Sequence, residues 1–404
     1  MCYRTCALVV CGERWSVTRS ARSSPTSALS VHSGISPMKL FSCASCGQPV
    51  HFDNRFCVAC GHRLAFVPER LSMEALAPAG EPNWQLVAAP EKQIRFCANE
   101  VNDICNWSVP AESESAFCPA CSHNRLVPDI ATEQGIEQWR RISQAQRHLF
   151  YSILRLGLPH PNRDADPAGG LVFDFLVDEV APDGSVIPAM TGHDEGLIAI
   201  RAAEADDVTR EQVRANMNEP YRTMLGHFRH EVGHFIWNKL VRDANRLEAC
   251  RAVFGDERAD YGEALQRNYD SGPNPDWQQN FISSYASVHP WEDFAECFAH
   301  YLHIVDTLET ARAFGVAIDP DGHEEMAAEV TFDPYKARSA AQLVKAWIPL
   351  SVAINSIQRS MGEADLYPFV LTPPVVAKME FIHDLLHGKV AADESTQVQA
   401  ALVQ

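Results

Sequence analysis

The densest chemistry in this chain sits within five positions: His230, Glu231 and His234, in the stretch His227-Phe-Arg-His-Glu-Val-Gly-His-Phe-Ile-Trp. Side chains four apart on a helix point to one side, one turn apart, so His230 and His234 can share a metal ion. Glu231 is turned by about 100° around the axis, where it reaches a water on that metal without ligating it. The chemistry is that of hydrolysis by a zinc-activated water, with Glu231 as general base. Phe228, Val232, Phe235, Ile236 and Leu240 flank the pair and predict a mostly buried helix. Gly233 costs that helix about 1 kcal/mol against alanine, which predicts close backbone packing there.

A catalytic zinc takes three protein ligands and keeps one position open. Candidates lie on a second predicted helix, entered at His289-Pro290. On it Glu292, Glu296, His300 and His303 fall within about 80° of one face. Rise along the axis separates them. With Glu292 on the zinc, Glu296 lies about 6 Å further along and His303 about 16 Å, too far for the same ion. Glu296 is then suited to hold a ligating histidine by a hydrogen bond. His300 and His303 read as satisfied core or interface histidines. Asp256, Glu257 and Asp260 read as a surface or structural acidic patch.

Eight of the 13 cysteines lie between residues 43 and 121. Cys43, Cys46, Cys57 and Cys60 form two CxxC pairs, each followed by a glycine suited to the left-handed turn of a zinc knuckle. Cys97, Cys105, Cys118 and Cys121 make a second, less regular set, with seven residues inside its first pair. His123 competes there as a replacement ligand. Four protein ligands leave no open position, so both zinc sites are read as structural. The expected cofactors are three Zn²⁺, one catalytic and two structural. CxxC pairs without a secretory signal favour metal over disulfides and a cytoplasmic location.

With these motifs in view, the chain resembles known zinc peptidases. HExxH followed on a later helix by glutamate is similar to the gluzincin pattern. The spacing is nearest to the lethal-factor-like branch, where a tyrosine precedes the ligand glutamate by seven residues and a second glutamate follows by four: Tyr285, Glu292 and Glu296. More broadly, the chain resembles a bacterial zinc-binding metallopeptidase family carrying an N-terminal zinc ribbon. The segments that carry the likeness are Arg229-His-Glu-Val-Gly-His234, Asp256-Glu-Arg-Ala-Asp-Tyr261-Gly, His289-Pro-Trp-Glu-Asp-Phe-Ala-Glu296 and Arg359-Ser-Met-Gly362. The resemblance spans roughly residues 38–390 and leaves out 1–37, which supports a start at Met38. It implies His230, His234 and Glu292 as zinc ligands, Glu231 as base, Tyr285 as a donor to the developing oxyanion, and Glu296 as support. It implies a peptide or protein substrate and leaves the substrate's identity open.

The elements that must position these groups are partly legible. Trp139, Ile142, Ala145, Leu149, Ile153 and Leu156 recur at helical steps. Leu171–Val177 and Gly196–Ala202 read as strands, the second able to pair with an extended peptide. A helix is expected from about 220 to 242, starting at Pro220. Further helices are expected over Ala340–Met361, with Pro349 inside it, and from Thr372 to near Gly388. Leu64–Pro90 reads as a partly ordered connector. The expected fold class is α+β: an N-terminal zinc-ribbon module, then a mostly helical zincin-like domain with a small sheet. The expected divisions are 1–37 (disordered or a mis-assigned start), 38–128 (zinc-ribbon region), 129–390 (catalytic domain) and 391–404 (disordered tail).

Composition narrows the partners. The chain carries 34 basic and 52 acidic residues, a net charge of −18, all of it in residues 131–404. Eight thiolates holding two Zn²⁺ add about −4 to the otherwise neutral first 130 residues. No concentrated basic surface is available for nucleic acid, and no apolar run approaches the roughly 20 residues needed to span a membrane. A protein partner could dock on the ribbons. Two rival functions follow: a ribbon-based binding scaffold with a vestigial peptidase body, and a protease acting on DNA-bound proteins.

Overall fold

The computed structural model describes residues 40–217 and 219–393. The expectations for residues 1–37, and for the tail beyond residue 393, lie outside them.

The metal knuckles come first. β1 (Phe41–Ser42) and β2 (Pro49–Val50) pair antiparallel around Cys43 and Cys46. Gly47 and Gly61 take φ of 75° and 74°, the left-handed turns expected after each CxxC. β3 (Arg63–Val67), β4 (Ser72–Pro78), β5 (Trp84–Leu86), β6 (Ala89–Phe96) and β7 (Ser108–Pro110) then form an antiparallel sheet in that order. The expected partly ordered connector at Leu64–Pro90 is therefore corrected: it runs from β3 through β4 and β5 into the start of β6. Ala65, Val67, Leu76, Leu86 and Ile94 fill one face, while Leu64, Phe66, Met73 and Ala75 join the main core on the other. Strands covered on both faces lose the polar–apolar alternation that announces a strand.

β8 (Asn124–Leu126) leads into α1 (Glu133–Leu156), capped by Thr132, whose hydroxyl accepts from Gly135 N at 3.0 Å. α1 buries Trp139, Ile142, Leu149 and Ile153 and receives the ribbon region on one side. There Phe52 packs against His148 and Tyr151, and Asp53 lies 3.1 Å from His148 Nε2. Ribbon and helices share one hydrophobic cluster running from Phe41 to Leu386.

β9 (Val172–Leu176), the hairpin β10 (Glu179–Val180) and β11 (Val186–Ile187), β12 (Gly192–Asp194) and β13 (Leu197–Arg201) follow. The second sheet runs β12-β13-β9-β8, with β12 antiparallel to β13 and the other pairs parallel. The strand expected to receive a peptide, β13, is thus paired on both sides. The edge on that side of the sheet belongs to β12.

α2 (Asp207–Asn216) precedes α3 (Met224–Trp237), which carries the HExxH segment. The helix expected from residue 220 begins four residues later, because Thr223 caps it by accepting from Gly226 N at 3.0 Å. It continues past Trp237 as a π-helical turn over Asn238–Arg242. α4 (Leu247–Phe254), α5 (Tyr261–Ser271), α6 (Trp277–Asn280) and α7 (Pro290–Ala313) follow. α7 starts at Pro290, with His289 Nδ1 accepting from Trp291 N at 3.1 Å.

α3 packs directly on α7, and Gly233 marks the crossing. A Cβ there would stand 3.0 Å from Ala295 Cα and 3.3 Å from Phe298 Cδ1. Close approach repays the glycine. Arg229 locks the same crossing by reaching Asp306 and His303 from beneath.

The small hairpin β14 (Ala317–Ile318) and β15 (Ala328–Glu329) leads to α8 (Ala340–Ser360) and α9 (Pro373–Leu386). Among the described residues α8 is the one helix long and apolar enough to cross a membrane by composition, yet Leu343, Val344, Trp347 and Leu350 are spent on the core. Lys378 of α9 pairs with buried Asp293 of α7 at 2.6 Å. Asp393, within the stretch expected to be a disordered tail from residue 391, contacts the start of α4: its Oδ2 accepts from Glu248 N at 3.0 Å.

Candidate metal centre and catalytic cleft

The α3–α7 crossing sets the candidate ligands face to face. Glu292 Oε2 lies 3.0 Å from His230 Nε2 and 3.4 Å from His234 Nε2. One atom from each of the three residues falls within 4.8 Å of the others. Glu292 is 2% exposed, and its Oε2 makes no hydrogen bond although two imidazole nitrogens converge on it. A buried carboxylate oxygen left unmatched is costly unless something joins it to those nitrogens. Two imidazoles and a carboxylate suit zinc and leave a fourth position open.

Supporting contacts orient the set. His230 Nδ1 is 2.7 Å from Glu296 Oε1, so the Nε2 side faces Glu292. Glu296 Oε2 accepts from Ser283 Oγ at 2.6 Å. Burial disfavours the Glu296 charge, but the His230 contact wins and holds its carboxyl at about 2. Tyr261 donates to Glu292 Oε1 at 2.8 Å, which leaves Oε2 for the cluster. Burial also opposes the Glu292 charge; the His234 and His230 rings keep that carboxyl well below the usual range. Trp291 covers His234, ring centroids 4.2 Å apart, and His193 of β12 stacks on it at 5.6 Å.

Glu231 lies on the same helix, outside the converging trio, 7% exposed. Tyr285 enters from the turn before α7, its ring 5.8 Å from that of His230. Burial and the Glu292 charge hold its phenol well above the ordinary value, so it remains a donor. A cavity of about 290 Å³ opens beside this group, lined by His227, His230, Glu231, Tyr285, Tyr221, Phe369, His300 and His303. His300 and His303 stand away from the trio: His300 Nδ1 is 2.9 Å from the Tyr367 hydroxyl, and His303 meets Arg229. Burial takes His300 down to about 4, leaving a neutral wall.

Both cysteine sets gather. Cys43–Cys60 and Cys46–Cys57 Sγ separations are 3.7 and 3.5 Å, and Cys105–Cys118 is 3.8 Å. Tetrahedral zinc with Zn–S near 2.3 Å needs sulfurs about 3.8 Å apart. All eight cysteines are free of disulfides. The competing ligand His123 is turned away, its ring nitrogens on the carbonyls of Pro119 (2.7 Å) and His160 (2.9 Å). In the acidic patch, Asp256 pairs with Arg258, Glu257 with Arg251, and Asp260 caps α5.

Several members of the site escaped sequence reasoning. Ser283 comes from a segment remote in sequence from α3, and Tyr261, although inside a segment that carries the family likeness, had no role read for it. His193 reaches the site through the sheet, and Glu204 through the turn after β13. His227 carried a usable signal, since it stands one helical turn before Glu231.

Residues 135–385 match the family described as "Putative zinc-binding metallo-peptidase". The chain belongs to this family. Residues 40–132 match a zinc-ribbon domain. An uncharacterised protein of Mycobacterium bovis and one of Mycobacterium tuberculosis are each 40% identical over 359 residues, covering 88% of this chain and 97% of the relative. No solved structure matches.

The contact between Glu296 and His230 yields a measurable expectation. Glu296→Gln should weaken zinc binding at the trio by about 10–100-fold, since a neutral amide oxygen can still accept from the imidazole but no longer supplies the negative charge that raises its basicity. Competition with a chromophoric chelator reads this directly, and an unchanged affinity would remove Glu296 from the site.

Proposed function

We propose that this family member is a zinc-dependent peptidase, with His230, His234 and Glu292 holding one catalytic zinc and the two cysteine sets holding two structural ones. The observation that carries the reading is the convergence of two imidazole nitrogens on an unmatched buried carboxylate oxygen, with Glu231 and Tyr285 lining the cavity beside it. Zinc held there would lower the pKa of a water and polarise a substrate carbonyl.

The protein's own groups supply the rest. Burial would push the Glu231 carboxyl up, but the His227 hydrogen bond and the nearby imidazoles bring it below its usual value, so it is ionised at neutral pH. It takes a proton from the attacking water and passes it to the leaving amine. Tyr285 donates to the carbonyl oxygen as negative charge grows there. Edge strand β12 offers backbone groups to an extended peptide beside the cavity. The neutral His300 and His303 wall accepts an uncharged side chain.

Metal analysis of the purified chain should return three zinc ions, and a denatured protein substrate such as casein should be cleaved. Removal of the most labile zinc by a chelator should abolish cleavage, and re-addition should restore it. A chain with its full zinc complement that cleaves no peptide in a diverse library would refute the proposal.

A further inference from the structure

His227 precedes Glu231 by one helical turn and touches two carboxylates. Its Nε2 is 3.4 Å from Glu231 Oε1, and its Nδ1 is 3.0 Å from Glu204 Oε2. A carboxylate oxygen facing each ring nitrogen favours the doubly protonated, charged imidazole, which can donate toward both. Burial works against that charge; the Glu204 and Glu231 hydrogen bonds overcome it and raise the ring to about 9. Glu204, 4% exposed, is itself anchored. Arg222 Nη2 donates to its Oε2 at 2.9 Å, and Thr191 Oγ1 donates to Oε1 at 3.3 Å. Arg222 also pairs with Glu219 at 3.1 Å.

The order of charges is Glu219, Arg222, Glu204, His227, Glu231. Three negative groups alternate with two positive ones, and the row ends at the cavity. Arg222 alone would neutralise Glu204. Interposing His227 extends the row to the one carboxylate on α3 that the proposed chemistry uses.

We infer that His227, backed by Glu204, is a positioning residue for Glu231: it clamps one carboxylate oxygen and turns the other toward the cleft. A glutamate side chain has three rotatable bonds, and one fixed oxygen removes most of that freedom. Small misplacement of a reacting group costs up to about 100-fold in rate. The catalytic consequence rests on the peptidase reading; the contact itself does not.

The test uses the full zinc-loaded chain. In His227→Ala, kcat for peptide cleavage should fall by about 10–100-fold, with KM within about twofold and zinc content unchanged. His227→Gln, whose amide N–H can reach Glu231, should recover part of that loss. A second readout needs no activity: long-range ¹H–¹⁵N imidazole spectra at neutral pH. They should show a doubly protonated ring that is lost in His227→Gln. Its Nε2 resonance should move in Glu231→Gln, and the ring should become singly protonated in Glu204→Gln. An unchanged kcat in His227→Ala, or a loss shared with zinc content, would overturn the inference. So would an imidazole indifferent to Glu231→Gln. If the native chain cleaves nothing while the imidazole signature holds, the peptidase reading fails and the contact stands.

Discussion

Glu231→Gln should lower the turnover of peptide cleavage by about 10²–10⁴-fold while leaving the fold and the zinc content as they are. Glutamine keeps the shape and length of the side chain but cannot take a proton from water. Zinc should stay because Glu231 contributes no atom to the converging trio. Stability should hold too, since a buried amide is easier to desolvate than a buried carboxylate. It does lose the charged contact with His227. Kinetics on a single peptide, with zinc measured by mass spectrometry on the same sample, separates the effects. Activity within a factor of three of native would sink the assignment of Glu231 as base. Loss of zinc in step with activity would move Glu231 into the ligand set.

The second large effect concerns folding. Cys105→Ser should destabilise the chain severely, to the point of insolubility or a melting temperature lower by more than about 15 °C, with close to one zinc lost. Cys97, Cys105, Cys118 and Cys121 are all buried, within the cluster that also holds Trp107, Tyr151 and Phe150. Arg55 Nη1 donates to the Cys105 carbonyl at 3.2 Å, and Arg147 of α1 reaches the Ile104 carbonyl. The site thus joins the ribbon region to the first helix of the body. Structural zinc contributes about 10–16 kcal/mol of folding free energy in isolated fingers. A whole domain is stable by only about 5–15 kcal/mol. Cys46→Ser makes the internal comparison, because Cys46 is exposed at the outer end of its knuckle. Its melting point should drop by less than half as much. Calorimetry on both variants decides; a folded Cys105→Ser protein with native melting point and native zinc would refute the structural role.

Much of the candidate site is legible because its parts are local. HExxH places His230 and His234 on one side of α3 through helix geometry alone, and CxxC turns bring paired sulfurs together through the turn itself. The Glu292–Glu296 spacing is one turn of α7, so the division into one group at the trio and one behind His230 follows from helical rise. Gly233 foretold a close crossing by being a poor choice for an isolated helix. Other features failed for a common reason. Leu64–Pro90 lacks alternation because both faces of its strands are covered, and coverage is a property of the partner elements.

What the sequence by itself determined is the chemistry available: which residues can ligate, accept a proton or cap a helix, and at what spacing along one element. Only the tertiary structure decided which distant groups complete it. Packing α3 on α7 brought Glu292 within reach of both histidines, and α5 delivered Tyr261 to its other oxygen. Sheet order made β12 the open edge in place of β13, and the turn after β13 set Glu204 behind His227. Helical periodicity acts over a few residues and can be read along the chain. Hydrogen bonds between segments 23, 31 or 66 positions apart depend on the path of the whole backbone, which no local pattern encodes.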